Sequence, residues 1–237
     1  MKIGVIVAMD KEYEQLQKVA QTLENHEIIL AKCGIGKVNA ALGAQKMIND
    51  HHPDMIVSSG CAGGNGDGVN VQDVVVSSEL SYHDVYCGRA IDDCTVYGQV
   101  QGLPARYAAD PHLLSAALSL DADDSDNEAR GAKSEHGVAP RIIPGLIVTG
   151  DWFVDSKEKM RSIIEKFPEA KAVDMESCAI AQTCYINKVP FISFRVISDI
   201  PLRDTDASQY HNFWETIADN SFHVTKSFLD LIVRGRE

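Results

Sequence analysis

The feature that most constrains this chain is a recurring pair: a short apolar run without alternation, then a segment with helical spacing. Residues 2–8 form the first such run, which predicts a strand buried on both faces. Residues 11–23 follow with Tyr13, Leu16, Val19, Ala20 and Leu23 at helical spacing, and Asp10 stands before them as the expected N-cap. The pair returns as a strand at 28–33 and a helix carrying Val38, Ala41, Leu42 and Met47, entered through Gly34-Ile35-Gly36. Residues 55–59 predict another buried strand, ended by a turn at Gly60-Cys61-Ala62-Gly63-Gly64. Further strands are expected at 73–78, 141–149, 171–173 and 191–197, and further helices at 111–120, 156–166, 176–186 and 212–233. Strands that alternate with helices make an α/β fold of three layers, with a mostly parallel central sheet covered by helices on both faces. No internal repeat or Pro/Ser-rich linker interrupts the pattern, so residues 1–237 read as one domain. Within it, 121–140 is acidic and poor in apolar residues, which predicts an exposed loop.

Charge and cysteine usage narrow the class of partner. A net charge of −12 opposes binding to nucleic acid or an anionic membrane, because both are held by Lys/Arg surfaces. It leaves room for a small ligand held by backbone amides. The six cysteines show no CxxC pair and no zinc-like spacing with histidine, so reduced thiols, no metal and no cofactor are expected. The chain opens directly on a strand-like run, and no apolar stretch approaches membrane-spanning length, which points to the cytoplasm.

In open α/β sheets a ligand sits beyond the carboxyl ends of the strands, so the residues after each predicted strand are the candidates. They are Met9, Asp10 and Glu12; then Ala62 and Gly63 in the Gly-rich turn; then Asp151, Trp152, Phe153 and Val154; then Asp174, Met175 and Glu176; then Ser198 and Asp199. Carboxylates, backbone amides and aromatics converging on one edge suit a nucleoside, which needs an apolar slot, an acid near a ring nitrogen and a carboxylate for sugar hydroxyls. Taken singly, each residue has a plainer reading. Asp199 serves as well as a turn cap before Pro201, and Glu12 as a first-turn residue favoured by the helix dipole. Asp174 and Glu176 lie two apart, so on a helix they would face different ways and only one would reach the pocket.

Longer stretches carry a resemblance. Met1-Lys2-Ile3-Gly4-Val5-Ile6 with Ala8-Met9 and Glu12, Gly34-Ile35-Gly36-Lys37-Val38, Ser59-Gly60-Cys61-Ala62-Gly63-Gly64 and Tyr82-His83-Asp84 occur in that order. Val173-Asp174-Met175-Glu176-Ser177 and Arg195-Val196-Ile197-Ser198-Asp199 complete the series. The chain resembles the 5′-methylthioadenosine/S-adenosylhomocysteine nucleosidases of the nucleoside phosphorylase superfamily. The resemblance implies a homodimeric hydrolase that releases adenine from both nucleosides, in methionine salvage and S-adenosylhomocysteine removal. It assigns Asp199 as the acid that protonates N7, oriented by Ser198, and Glu12 as the base that activates water. Glu176 would bind ribose hydroxyls over Met175, Phe153 and the Val154 backbone would hold adenine, and Ala62-Gly63 would line the ribose. Met9 and Ile35 would flank the water and the 5′ group, with Tyr210 as the aromatic wall of the 5′ pocket.

The chemistry is consistent with those roles. Adenine leaves poorly as an anion, so N7 must gain a proton while C1′–N9 stretches toward an oxocarbenium-like state that water captures. Asp199 must therefore hold its proton near neutral pH while Glu12 stays ionised. Against the family pattern, only 24–31 remains where a further hairpin is usual, Asp174 stands for the usual Glu, and 91–101 lacks the aromatics a partner subunit lends. A purine nucleoside phosphorylase would need phosphate-binding Arg in 8–14 or 55–64, and neither contains one. A hydrolase of futalosine-type nucleosides stays open, and a catalytically silent nucleoside-binding protein would have lost Glu12 or Asp199.

Overall fold

The computed structural model describes residues 1–20, 27–88, 96–122, 140–203, 208–214 and 222–234. Its strands are β1 (Lys2–Val7), β2 (Glu27–Lys32), β3 (Met55–Gly64), β4 (Val74–Tyr82), β5 (Tyr107–Ala108), β6 (Ile142–Thr149), β7 (Ala170–Asp174) and β8 (Phe191–Asp199). Its helices are α1 (Asp10–Ala20), α2 (Lys37–His51), α3 (Pro111–Ala122), α4 (Lys157–Ile164), α5 (Ser177–Asn187), α6 (Ser208–Asn212) and α7 (His223–Arg234).

Each expected strand in 2–8, 28–33, 55–59, 73–78, 141–149, 171–173 and 191–197 has its counterpart, and the parallel expectation holds in part, for five of the eight pairings. Of the eight pairings, β3–β7, β4–β5 and β4–β8 are antiparallel. The sheet is mixed, and five strands close on themselves in the circuit β3–β8–β4–β6–β7–β3. The Gly-rich segment read as a turn is the carboxyl end of β3, and it makes this closure. Gly63 and Gly64 pair with Val173 and Ala172 of β7. A Cβ on Gly64 would lie 3.0 Å from Ile197 Cγ2, so a side chain there would press the ring apart.

Alternate residues of β1 feed two of the three apolar cores. Ile3, Val5 and Val7 of β1 join Val57, Val76 and Phe194 beneath α3 and α7, whose Leu113, Phe228 and Leu229 complete that side. Ile6 joins Ile56, Val75 and Ile147 beneath α2 and α5, through Ala40, Ala44, Met47, Cys178 and Ile180. With both faces buried, these strands need no polar alternation, which is why their sequences are continuous apolar runs. The shortened region before the Gly-Ile-Gly turn still supplies β2, paired in parallel with β1 along six residues.

Two local expectations change. Asp10 is the first residue of α1, one past the Met9 carbonyl that accepts from Tyr13 N, and its carboxylate meets Lys32 on β2. Where one terminal helix is expected at 212–233, the described residues hold α6 from Ser208, which carries Tyr210, and α7 from His223. Residues 91–95 of the 91–101 segment, 215–221 within the expected terminal helix and 123–139 of the acidic loop lie outside the described residues.

Candidate active site

Strand ends bring the site together. Beyond the carboxyl ends of β1, β3, β6, β7 and β8 lies a cleft of about 630 Å³, counted out to its open mouth. It is lined by all twelve residues to which the resemblance gives a role, Met9, Glu12, Ile35, Ala62, Gly63, Phe153, Val154, Met175, Glu176, Ser198, Asp199 and Tyr210, while the strand-end candidates Asp10 and Asp151 do not line it. That size and mixed lining suit a nucleoside-sized ligand.

Glu12 lies in the first turn of α1 and is buried. Its carboxylate folds back so that Oε2 accepts from Ala8 N and Met9 N at 2.9 and 3.0 Å, while Oε1 accepts from Cys61 N at 3.0 Å. One side chain thus both occupies the first turn of α1 and lines the cleft. Burial raises its pKa, and the Arg195 guanidinium and the three amide donors pull it back down. Gly60 allows this approach: a Cβ there would stand 2.7 Å from Glu12 Oε1.

Across the cleft, Asp199 ends β8 rather than following it, and Ser198 Oγ donates to Asp199 Oδ1 at 2.7 Å. Ser198 Oγ also lies 3.3 Å from the Ala62 carbonyl, which anchors the pair to β3. Glu176 accepts from Gly36 N at 2.9 Å, where the positive φ of 94° suits glycine. Burial, and after it the neighbouring Asp174 charge, push the Glu176 carboxyl up to about 8. Phe153 and Tyr210 meet edge to face with centroids 5.3 Å apart, and the Tyr210 hydroxyl lies 3.8 Å from Met9 Sδ.

Asp174 and Glu176 both line the cleft, contrary to the argument from helical spacing. Asp174 is the last residue of β7 and Glu176 the N-cap of α5, so no helical rotation separates them. Sequence reasoning also passed over Arg195, which is buried in β8. Its Nε donates to Asp174 Oδ2 at 2.6 Å and its Nη2 to Ser58 Oγ at 2.9 Å. One charge inside the apolar run Phe191-Ile192-Ser193-Phe194-Arg195-Val196 was the available signal, since a buried cation must have a partner. Cys61 and the half-exposed Trp152 join the lining as well.

Among the described residues, the carboxyl groups of Glu12, Asp174, Glu176 and Asp199 thus line the cleft, and no Lys or Arg does. Among the described residues no group of three or more His, Cys, Asp or Glu is arranged to hold a metal ion. The five described cysteines, Cys33, Cys61, Cys87, Cys178 and Cys184, are free thiols. No described helix is long and apolar enough to cross a membrane.

Comparison with known proteins places this arrangement. The sequence signature of the phosphorylase superfamily matches residues 2–233. The 5′-methylthioadenosine/S-adenosylhomocysteine nucleosidase of Chromohalobacter salexigens is 37% identical, over 96% of this chain and 96% of its own. The nucleosidase of Colwellia psychrerythraea 34H, solved in complex with adenine, superimposes with a TM-score of 0.82 at 30% identity, covering 98% of this chain and 95% of that one. The Neisseria meningitidis enzyme, in complex with methylthio-immucillin-A, gives 0.80 at 33% identity, covering 96% and 98%. Likeness of that extent, in sequence and in fold from end to end, means that the chain belongs to the phosphorylase superfamily and, within it, to the 5′-methylthioadenosine/S-adenosylhomocysteine nucleosidases.

Proposed function

We propose that this protein is an N-glycosidase that hydrolyses 5′-methylthioadenosine and S-adenosylhomocysteine to adenine and the corresponding 5-thio-substituted ribose. Asp199 passes a proton to N7 of adenine, the C1′–N9 bond breaks with its electron pair leaving on the base, and water adds to C1′. The water gives its proton to Glu12. Ser198 orients Asp199, Glu176 accepts from the ribose hydroxyls above Met175, and Phe153 with the Val154 backbone holds the base. Ala62 and Gly63 line the sugar, and Met9, Ile35 and Tyr210 surround the 5′ substituent. The relatives' printed names, and the adenine and methylthio-immucillin-A in the solved neighbours, support this substrate class.

The observation that carries hydrolysis over phosphorolysis is the charge of the cleft. Phosphate bound beside C1′ would find no Lys or Arg among the described lining residues to pair with, only carboxyl groups, among them the base Glu12. Arg195, the buried cation behind the lining, is already paired with Asp174. Neutral water meets no such penalty, and Glu12, held by three N–H donors, is aimed to polarise it.

The residues from 1 to 237 act in this reading as one catalytic domain, in the cytoplasm, in methionine salvage and in disposal of S-adenosylhomocysteine. The working unit is a homodimer. Its support is an apolar face beside the cleft, where Val38 and Leu42 of α2 are 68% and 65% exposed and Ile35, Tyr185 and Ile186 are exposed near them.

The test is incubation with methylthioadenosine, S-adenosylhomocysteine and a futalosine-type nucleoside, each with and without phosphate, with identification of the sugar. Free 5-methylthioribose at equal rates in both conditions is expected. A phosphate requirement with a sugar 1-phosphate product sinks the reading, and turnover of the futalosine-type nucleoside alone redirects it.

A further inference from the structure

Glu176 stands at the start of a helix, yet its side chain takes no part in starting it. It is the N-cap of α5, at φ −133° and ψ −40°, and makes no side-chain hydrogen bond to that helix. The first N–H groups of a helix have no intrahelical partner, and an N-cap side chain ordinarily supplies one. Here two residues from neighbouring strands supply it. Asp174 Oδ2 accepts from Ser177 N at 3.1 Å and also from the Ser177 hydroxyl. Thr149 Oγ1 accepts from Cys178 N at 3.0 Å and donates its own proton to Asp174 Oδ1 at 2.5 Å. The Glu176 carboxylate reaches away from the helix to the Gly36 N–H on the cleft wall.

We propose that Asp174 and Thr149 are positioning residues: by capping α5 in place of Glu176, they free that carboxylate to meet the sugar hydroxyls. The inference rests on the reading of Glu176 as the sugar-binding carboxylate. Asp174 cannot swing aside, because its other bond is the 2.6 Å ion pair with buried Arg195. Thr149 is fully buried at the end of β6, so its hydroxyl has no water to turn to. If the substitute cap is lost, the N–H groups of Ser177 and Cys178 are orphaned, and the nearest carboxylate able to satisfy them is that of Glu176. Capping the helix and binding the sugar then compete for one side chain.

The experiment measures kcat and KM for adenine release from 5′-methylthioadenosine and its 2′-deoxy analogue. Thr149→Val keeps the shape and the Asp174–Arg195 pair but removes both hydroxyl bonds. Asp174→Asn keeps the volume and removes the charge; Thr149→Ser is the conservative control, and Glu176→Gln is the reference. Thr149→Val and Asp174→Asn should each raise KM for the ribonucleoside about tenfold, with a much smaller effect on the deoxy substrate, as expected when a sugar hydroxyl loses its partner. Thr149→Ser should restore the preference. An unchanged ribo-over-deoxy preference in folded Thr149→Val overturns the proposal, even if thermal stability falls, because the cap would then be structural only. If Asp174→Asn does not fold, Thr149→Val with its serine control decides. If Glu176→Gln itself keeps the preference, the sugar assignment is at fault, and the proposal falls with it.

Discussion

Gly60 is a residue whose identity is dictated by another side chain. It lies within β3 with ordinary strand backbone, so alanine is conformationally acceptable there; what it lacks is room. The added Cβ would sit 2.7 Å from Glu12 Oε1 and 3.2 Å from Arg195 Nη1, which forces the carboxylate off the Cys61 N–H. A displacement of that size at a reacting group costs on the order of 10²-fold in rate. Gly60→Ala should therefore lose about that much kcat while staying folded, as read by single-turnover adenine release beside a thermal melt. Wild-type kcat in a folded Gly60→Ala protein would mean that the position of Glu12 does not matter to the chemistry. The companion substitutions act on the protons themselves. Asp199→Asn keeps the shape beside Ser198 but has no proton for N7, and Glu12→Gln cannot accept one from water. Each should lower kcat by about 10²–10⁴ with KM little changed. The double variant should lose less than the product of the two, because both act in one transition state. An Asp199→Asn protein with unimpaired kcat would remove Asp199 as the general acid.

Elements meet at the cleft through a polar clamp. Asp84 follows β4, Lys37 opens α2, and Asp151 follows β6. Both Asp84 carboxylate oxygens accept from Lys37 Nζ at 2.8 Å, and Oδ2 also accepts from Asp151 N at 2.8 Å. Asp151 Oδ1 accepts from Lys37 N at 2.7 Å. The clamp therefore ties the loop bearing Phe153 and Val154 to the turn whose Gly36 N–H holds Glu176. Asp84→Asn should raise KM for methylthioadenosine about tenfold, the scale of one part-buried charged hydrogen bond, and leave kcat within a few-fold. A kcat loss at constant KM would place Asp84 in the chemistry instead. The sequence made Tyr82-His83-Asp84 visible as a motif, but not what it holds. Strand positions were legible because a strand buried on both faces must be apolar throughout. Strand direction was not, because such a run reads the same whether its neighbour is parallel or antiparallel, so the β3–β7 and β4–β8 pairings and the closed ring left no mark. The glycines at 60–64 misled for a related reason. Glycine signals a turn in one dimension, whereas here its missing side chain admits the Glu12 carboxylate at Gly60 and the Val173 and Ile197 side chains at Gly63 and Gly64. Arg195 was hidden by the strand rule itself, which treats a single charge in an apolar run as noise until a buried partner such as Asp174 is seen.

For the whole molecule, closing five strands into a ring gathers Glu12, Asp174 and Glu176 around one buried cation, Arg195. Asp174 has the direct bond to that guanidinium. Glu176 is the residue that gives way, with its carboxyl pushed up to about 8 by burial and by Asp174. This has a consequence for stability. The folded chain keeps a proton on Glu176 across a range where the unfolded chain, with an ordinary carboxyl near 4.5, has released it. Where the folded state binds more protons, stability falls as pH rises, by up to about 1.4 kcal/mol per pH unit for one group. The contribution is thus complete below about pH 4.5 and is lost as pH climbs to about 8. Glu12, also raised by burial, adds in the same direction. His83 opposes it: burial lowers its pKa, so the folded state gains stability as pH rises toward the ordinary histidine value of 6.5. Comparison with Glu176→Gln cancels the His83 contribution, since glutamine is neutral throughout. Denaturant unfolding of both proteins at pH 5, 6.5 and 8.5 reads the difference. The glutamine variant should gain on the wild type steadily from pH 5 to 8.5. Parallel curves across that range would mean that Glu176 is ionised in the folded protein, and that Arg195 serves Glu176 as fully as it serves Asp174.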